Sequence, residues 1–129
     1  MLIDDSIVRG TTSLKIVQML REAGAREIHM RIASPPTRHS CFYGVDTPER
    51  AKLLAAQMNV AQMADYIHAD SLAFVSINGL YRALGEDERD EGQPQHCDAC
   101  FTGDYPTRLT DHEESDSTDQ LALIAERYA

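Results

Sequence analysis

The first twelve residues constrain the fold of this chain more than any other stretch. Leu2 and Ile3 are apolar, and two adjacent carboxylates, Asp4 and Asp5, follow them directly. A short run of small, hydroxyl-bearing and glycine residues then leads to a helical pattern that opens at Ser13. This order predicts a strand, a tight turn and a helix start, the arrangement in which α/β proteins place ligands at the carboxyl end of a strand.

The predicted turn has the composition of a phosphate-binding loop. Successive backbone N–H groups, together with the positive end of the following helix, hold an anion without a cationic side chain. Gly10 lets the backbone approach a ligand closely. The hydroxyls of Ser6, Thr11 and Thr12 are additional donors. The paired carboxylates at the strand end suit the hydroxyls of a sugar, or a Mg²⁺ ion that keeps most of its waters.

The run closely resembles the phosphoribosyl-pyrophosphate (PRPP) loop of type I phosphoribosyltransferases, in the form found in the glutamine PRPP amidotransferase family. Its residues are Asp4, Asp5, Ser6, Ile7, Val8, Arg9, Gly10, Thr11 and Thr12. The resemblance implies that residues 6–12 bind the 5′-phosphate, without a catalytic role for Arg9. It also implies that Asp4 and Asp5 are the catalytic carboxylates, which bind the ribose hydroxyls and help to hold Mg²⁺.

The reaction that the resemblance implies is attack of ammonia on C1 of PRPP, the first step of de novo purine biosynthesis. Pyrophosphate leaves, and phosphoribosylamine forms. The ammonia would come from glutamine, hydrolysed by an N-terminal domain that precedes the PRPP loop in the family.

Hydrophobic periodicity predicts a βαβ unit at the start of the chain. A helical stripe over residues 13–23 is followed by Gly24 as a C-cap, and residues 28–32 alternate like a strand with one buried face. The chain starts only one residue before Leu2, so the first strand is very short. We therefore expect a C-terminal fragment of a longer protein. The resemblance further implies that this fragment is inactive by itself, since the glutaminase domain is missing, and that the full-length protein is homo-oligomeric.

The remainder is predicted to be mainly helical. Helices are expected from Thr47 and Pro48, after Asn59 and after Ser76. The acidic stretch over residues 86–95 is expected to be an exposed loop, and residues 121–128 either a short amphipathic helix or a frayed end. The predicted class is therefore α/β. The resemblance implies that residues 1–46 are the C-terminal half of a phosphoribosyltransferase core with a Rossmann-like parallel sheet, and a helical, cysteine-bearing segment with an acidic tail is expected over 47–129.

Three cysteines form a second pattern. Cys97 and Cys100 belong to a Cys-x-x-Cys, and Cys41 lies in a loop after the βαβ unit. The odd number, in a chain without an export signal, favours metal or cluster ligation over structural disulfides. Two thiolates across a tight turn can hold one metal ion or one cluster edge, or can cycle as a redox dithiol.

The resemblance extends to these cysteines. Family members with a [4Fe–4S] cluster take one cysteine from the segment after the βαβ unit and two from a late Cys-x-x-Cys, which implies Cys41, Cys97 and Cys100 as ligands here. The fourth ligand would lie outside this chain. A Zn²⁺ site with His39 or His96 as fourth ligand is the main alternative.

Charge and hydropathy exclude some partners. A net charge of −9 argues against a nucleic-acid or anionic-membrane surface, which would repel the chain. No apolar run approaches bilayer length and no secretory signal is visible, so a cytoplasmic location is expected. Two functional alternatives remain: a non-catalytic PRPP- or nucleotide-binding module, and a small zinc or redox protein whose loop is incidental.

Overall fold

A three-stranded parallel sheet organises residues 1–109, which are the residues that the computed structural model describes. Strand β1 covers Leu2–Asp4, β2 covers His29–Ile32 and β3 covers Ser71–Phe74. The strands lie side by side in their sequence order, so that β2 is central. The predicted α/β class and its parallel sheet are confirmed.

Helix α1, Thr11–Glu22, connects β1 to β2. It begins at Thr11 and not at the predicted Ser13, because Gly10 adopts the left-handed conformation (φ 77°) and ends the preceding loop there. Val17 of this helix is completely buried in the core. Gly24, with φ 95°, follows the helix end as predicted.

The predicted helix start at Thr47 and Pro48 is wrong. Thr47 Oγ1 accepts the backbone N–H of Cys41 at 2.7 Å, and Pro48 O accepts the hydroxyl of Ser40 at 2.9 Å. Both groups therefore close a loop over residues 40–48 and do not cap a helix. A 3₁₀ turn at Arg50–Lys52 and the short helix α2, Leu54–Gln57, follow instead.

Helix α3, Val60–Ile67, begins at the cap that the sequence indicates. Asn59 Oδ1 accepts the N–H of Gln62 at 2.9 Å, and Gln62 Oε1 accepts the N–H of Asn59 at 2.9 Å. This reciprocal capping box satisfies two backbone donors at the helix start. Met63 and Ile67 are completely buried, so α3 presents one apolar face to the core.

The main core lies between the sheet and helices α1 to α3. Strand β3, which belongs to the chain after residue 46, also borders this core. In the sheet, His29 of β2 lies opposite Ser71 of β3. The predicted domain boundary between residues 46 and 47 stays a prediction, and the sheet contains residues from both sides of it. The buried members of the core are Ile7, Val17, Ile28, Met30, Ile32, Leu54, Ala55, Met63, Ile67 and Ala69.

An ion pair between Arg21 and Asp70 stabilises the end of the sheet at which β2 and β3 begin. Asp70 Oδ2 accepts the backbone N–H of Ile28 at 2.6 Å and Nη2 of Arg21 at 2.5 Å. The Ile28 N–H bond and the Arg21 guanidinium outweigh desolvation and lower the pKa of Asp70. The pair thus joins the end of α1 to the start of β2 and the approach to β3.

Two short helices complete the described chain. Helix α4, Ile77–Ala83, starts at Ser76 as predicted, since Ser76 Oγ accepts the N–H of Gly79 at 3.0 Å. Residues 86–95, the acidic loop, lead to α5, Ala99–Thr102. The helix predicted at 121–128 lies outside the described residues. Within residues 1–109 no helix has the length and apolarity needed to cross a membrane.

Candidate functional site

The loop predicted to bind phosphate, residues 6–12 and called the phosphate loop below, follows the carboxyl end of β1 and includes the first two residues of α1. Ile7 anchors it in the core and is 2% exposed. The carbonyl of Val8 accepts the backbone N–H of Leu54 at 2.8 Å, which ties the loop to α2. The loop is therefore held on both sides by buried or hydrogen-bonded residues, and its backbone is positioned before any ligand binds.

The start of α1 leaves backbone donors for a ligand. Its cap, Gly10, makes no side-chain hydrogen bond. The N–H of Leu14 makes the first intrahelical bond, to Gly10 O at 2.9 Å. The preceding N–H groups of Thr11, Thr12 and Ser13 lie at the open, positive end of the helix, where an anion is favoured.

Gly10 is required by space as well as by conformation. A Cβ atom there would lie 2.7 Å from Leu54 Cδ2 and 3.1 Å from Tyr66 Cε1. Its φ of 77° is also one that L side chains rarely adopt. The close packing of α2 and α3 against this glycine brings the loop backbone to its position.

The loop opens onto a cavity of about 440 Å³. Residues 4–13 line it, together with Asp46 and Pro48 from the loop over residues 40–48. Asp4 Oδ1 accepts the N–H of Asp5 at 3.0 Å, so the first carboxylate is held at the strand end. The cavity thus combines backbone donors, hydroxyls and carboxylates, which suits a phosphorylated sugar bound with a divalent cation.

Asp46 is the lining residue that the sequence analysis did not select. It lies more than thirty residues after the phosphate loop, in a segment whose predicted interest was Cys41. The closure of the loop by Thr47 brings Asp46 to the cavity. The one sequence signal was a carboxylate beside a turn, which is too common to indicate a site.

The cysteine corner, defined as Cys41, Cys97 and Cys100, is built from two distant segments. Cys100 O accepts the backbone N–H groups of Arg38 and His39 at 2.9 and 3.0 Å. On the other side, the hydroxyl of Tyr105 donates to Ser40 O at 2.7 Å. These bonds bring the loop that carries Cys41 against the turn that carries the Cys-x-x-Cys.

The three thiols share one partly apolar neighbourhood. Burial raises the pKa of the Cys100 thiol, and the nearby sulfurs of Cys41 and Cys97 raise it further. Cys41 Sγ accepts the backbone N–H of Tyr43 at 3.4 Å. The rings of Phe42 and Tyr105 stand over this region with centroids 5.3 Å apart. The three thiols therefore lie close enough for their charges to interact, and their role as ligands stays a prediction.

Within residues 1–109, neither His39 nor His96 completes a site for a single ion. His39 lies across Gly103, where a Cβ would be 2.9 Å from its Cε1. Burial and the charges of Arg50 and Arg38 lower the pKa of His39. His96 has its ring 5.7 Å from that of Tyr81. Among residues 1–109 no three His, Cys, Asp or Glu side chains are grouped so as to hold one metal ion.

The parallel sheet, with the loop over residues 6–12 at the end of its first strand, is of the phosphoribosyltransferase-type α/β class. Solved structures agree with that class. The glutamine PRPP amidotransferase of Bacillus subtilis, complexed with ADP and GMP, superimposes on 85% of this chain with a TM-score of 0.76 and 49% sequence identity. A structure described as the allosteric regulatory enzyme of purine biosynthesis gives a TM-score of 0.74.

Curated relatives give the particular family. The chain is 61% identical over 125 residues to the amidophosphoribosyltransferase of Rhizobium etli, which covers 96% of this chain and 25% of that protein. It is 50% identical over 108 residues to the Bacillus subtilis amidophosphoribosyltransferase, covering 84% and 22%. No family model matches. The chain belongs to the amidophosphoribosyltransferase family, and it spans about a quarter of the length of these relatives.

Proposed function

We propose that this chain provides the PRPP-binding loop of an amidophosphoribosyltransferase, which transfers glutamine-derived ammonia to C1 of PRPP. The observation that supports this most is the cavity of about 440 Å³ onto which the helix start, the phosphate loop and the carboxylates all face. The ammonia would come from another part of the whole protein. Products of the transfer are phosphoribosylamine and pyrophosphate.

The chemistry requires a fixed ribose and a neutralised leaving group. Breaking the C1–O bond develops positive charge on the ribose ring, as in glycoside cleavage. The N–H groups at the start of α1 hold the 5′-phosphate, and Asp4 and Asp5 bind the ribose hydroxyls. Their negative charge also favours the cationic ring. Mg²⁺, when held by these carboxylates, supplies positive charge for the leaving pyrophosphate.

Asp5→Asn tests the proposed role of the carboxylates. The amide keeps the shape of the side chain but loses the negative charge that binds a cation and accepts charge-assisted hydrogen bonds. We expect binding of PRPP with Mg²⁺ to weaken by about 10- to 100-fold, since a hydrogen bond to a charged group contributes about 1.5–3 kcal/mol. Isothermal titration of the chain with PRPP in the presence of Mg²⁺ measures this change.

The control for this variant is Asp65→Asn, on the exposed side of α3 and away from the cavity. It removes one negative charge, as Asp5→Asn does, so that the net charge of the chain changes equally. Unchanged PRPP affinity in the control, with weakened affinity in Asp5→Asn, supports the proposal. Equal affinities in all three proteins contradict it.

We also propose that the cysteine corner binds a [4Fe–4S] cluster through Cys41, Cys97 and Cys100, with a fourth ligand from outside this chain. The donor set fits, because thiolates are the usual cluster ligands and three of the four are neighbours here. The N–H bond to Cys41 Sγ is of the kind that tunes cluster potentials. Cluster ligands bind separate irons, so they need not converge on one ion as zinc ligands must.

Metal content separates the cluster from the zinc alternative. The chain, purified without oxygen from cells supplied with iron, is expected to contain iron and acid-labile sulfide, and Cys41→Ser is expected to lose most of both. Ser40→Ala is the matched control, because it disturbs the same loop without removing a sulfur. Zinc without sulfide in the unaltered chain would instead support the Cys₃His site.

A further inference from the structure

Asp98, which directly follows Cys97 in the Cys-x-x-Cys, has an unusually complete set of partners. Its carboxylate is 3% exposed and accepts four hydrogen bonds from side chains. Arg89 donates from Nε at 2.6 Å and from Nη2 at 3.3 Å. The hydroxyl of Tyr81 donates at 2.8 Å, and that of Thr102 at 3.0 Å. Both carboxylate oxygens are therefore fixed in direction.

The donors come from three parts of the chain: Thr102 from α5, and Tyr81 and Arg89 from the segments that precede the Cys-x-x-Cys. Tyr81 lies in α4 and is 1% exposed. Arg89 comes from the acidic loop, and its side chain is only 8% exposed although its neighbours face solvent. Its Nη2 also donates to Asp104 at 2.6 Å. One arginine therefore connects the two sides of the turn that carries Cys97 and Cys100.

Backbone hydrogen bonds connect Asp98 to the segments that carry the cysteines. Asp98 O accepts the N–H groups of Phe101 and Thr102 at 2.9 and 3.1 Å, which sets the start of α5. Cys100 lies in that helix, and its carbonyl accepts the N–H groups that precede Cys41. Cys97 is exposed and is adjacent to Asp98. The position of Cys97 therefore depends on Asp98, which the four hydrogen bonds hold in place.

We propose that Tyr81, Arg89 and Asp98 are positioning residues that fix the spacing of Cys97 and Cys100 relative to Cys41 for a sulfur-bound iron cluster. The inference rests on the proposed cluster and extends it to residues that do not touch the metal. A buried ion pair adds little net stability, because desolvation offsets its Coulomb attraction. Its directional bonds do define one geometry, and partners of this kind orient metal ligands in other proteins.

The test compares Asp98→Asn and Tyr81→Phe with Asp70→Asn. The asparagine keeps the shape of Asp98 but presents an amide to the arginine, and the phenylalanine removes one donor. Asp70→Asn is the matched control, since it breaks an arginine–carboxylate pair remote from the cysteines. For each full chain we would measure iron affinity in anaerobic reconstitution with ferrous iron and sulfide, the thermal midpoint, and iodoacetamide alkylation rates of the three cysteines without metal.

Asp98→Asn is expected to bind iron at least about tenfold more weakly, as is typical when a partner of a metal ligand is removed. It is also expected to change the ratio of Cys97 to Cys100 alkylation. Tyr81→Phe should show a smaller change of the same sign. Asp70→Asn should lower the thermal midpoint while leaving iron affinity and alkylation ratios as in the unaltered chain. If Asp98 merely stabilised the fold, Asp98→Asn would give this same result.

Two outcomes separate this inference from the proposed cluster. If the unaltered chain takes up no iron with sulfide, the cluster proposal fails, and with it the inference that these residues serve a cluster. If the unaltered chain takes up iron and Asp98→Asn and Tyr81→Phe match it in affinity and alkylation, the cluster proposal stands and the positioning role is overturned.

Discussion

Gly10→Ala is expected to destabilise the chain by about 2–5 kcal/mol and to abolish measurable PRPP binding. The left-handed conformation costs an alanine about 1–2 kcal/mol. Crowding adds about 1–3 kcal/mol, the usual cost of overpacking, because the new Cβ would lie 2.7 Å from the buried Leu54 side chain. Any shift that relieves the contact moves the N–H groups that are proposed to bind the phosphate. Urea unfolding and PRPP titration measure the two effects.

Gly24→Ala is the matched control for this variant. Gly24 also has positive φ, at 95°, but an added Cβ meets nothing within 4 Å. It should therefore cost only the conformational part, about 1–2 kcal/mol, and leave PRPP binding intact. Equal losses of stability and binding in the two variants would contradict a special role for close packing at Gly10.

Arg89→Met is expected to cost about 3–5 kcal/mol, because it leaves the carboxylate of Asp98 buried without its cation. Burial alone would raise the pKa of Asp98, but the bonds from Arg89, Tyr81 and Thr102 outweigh it and hold that pKa below its usual value. The stability from this depressed pKa is complete above the unfolded value of about 3.9 and is lost as pH falls through the folded pKa. The difference in unfolding free energy between the two proteins should therefore narrow as the pH falls, since protonation of Asp98 removes the unpaired buried charge from the variant and the ion pair from the unaltered chain.

A double variant distinguishes an unpaired charge from lost packing. In Arg89→Met with Asp98→Ala the buried charge is gone. The hydroxyl of Tyr81 keeps His96 O as an acceptor at 3.1 Å, and that of Thr102 keeps the carbonyl of residue 98 at 3.2 Å. We expect this protein to recover most of the stability lost in Arg89→Met. A double variant as unstable as the single one would mean that packing of the arginine, and not its charge, is responsible.

Elements with a local signal could be predicted from the sequence. Helix α3 is determined by its own capping box, and α4 by the hydroxyl of Ser76, so neither needs distant residues to define its start. The βαβ unit likewise follows from periodicity and a terminal glycine. The phosphate loop is contiguous, and therefore its residues could be selected together before any fold was known.

What could not be predicted depends on distant partners. Thr47 has the local features of a helix cap, but the N–H of Cys41 takes its hydroxyl. Arg89 lies among acidic, polar residues, and only the fold shows that its side chain forms an ion pair with the buried Asp98. Asp46 reaches the phosphate cavity for the same reason. The roles proposed for the carboxylates and cysteines remain predictions, supported by their grouping around two sites.

The wholly parallel sheet has a consequence for folding kinetics. Residue 2 pairs with residue 30, and residue 29 pairs with residue 71, so neither strand pair can form as a local hairpin. Each pairing requires closure of a long loop before its contacts contribute, which slows the search for the native state. The self-capped α3 can form within its own segment. The rate-limiting event is therefore expected to be the docking of β2 between its neighbours, with helix formation preceding it.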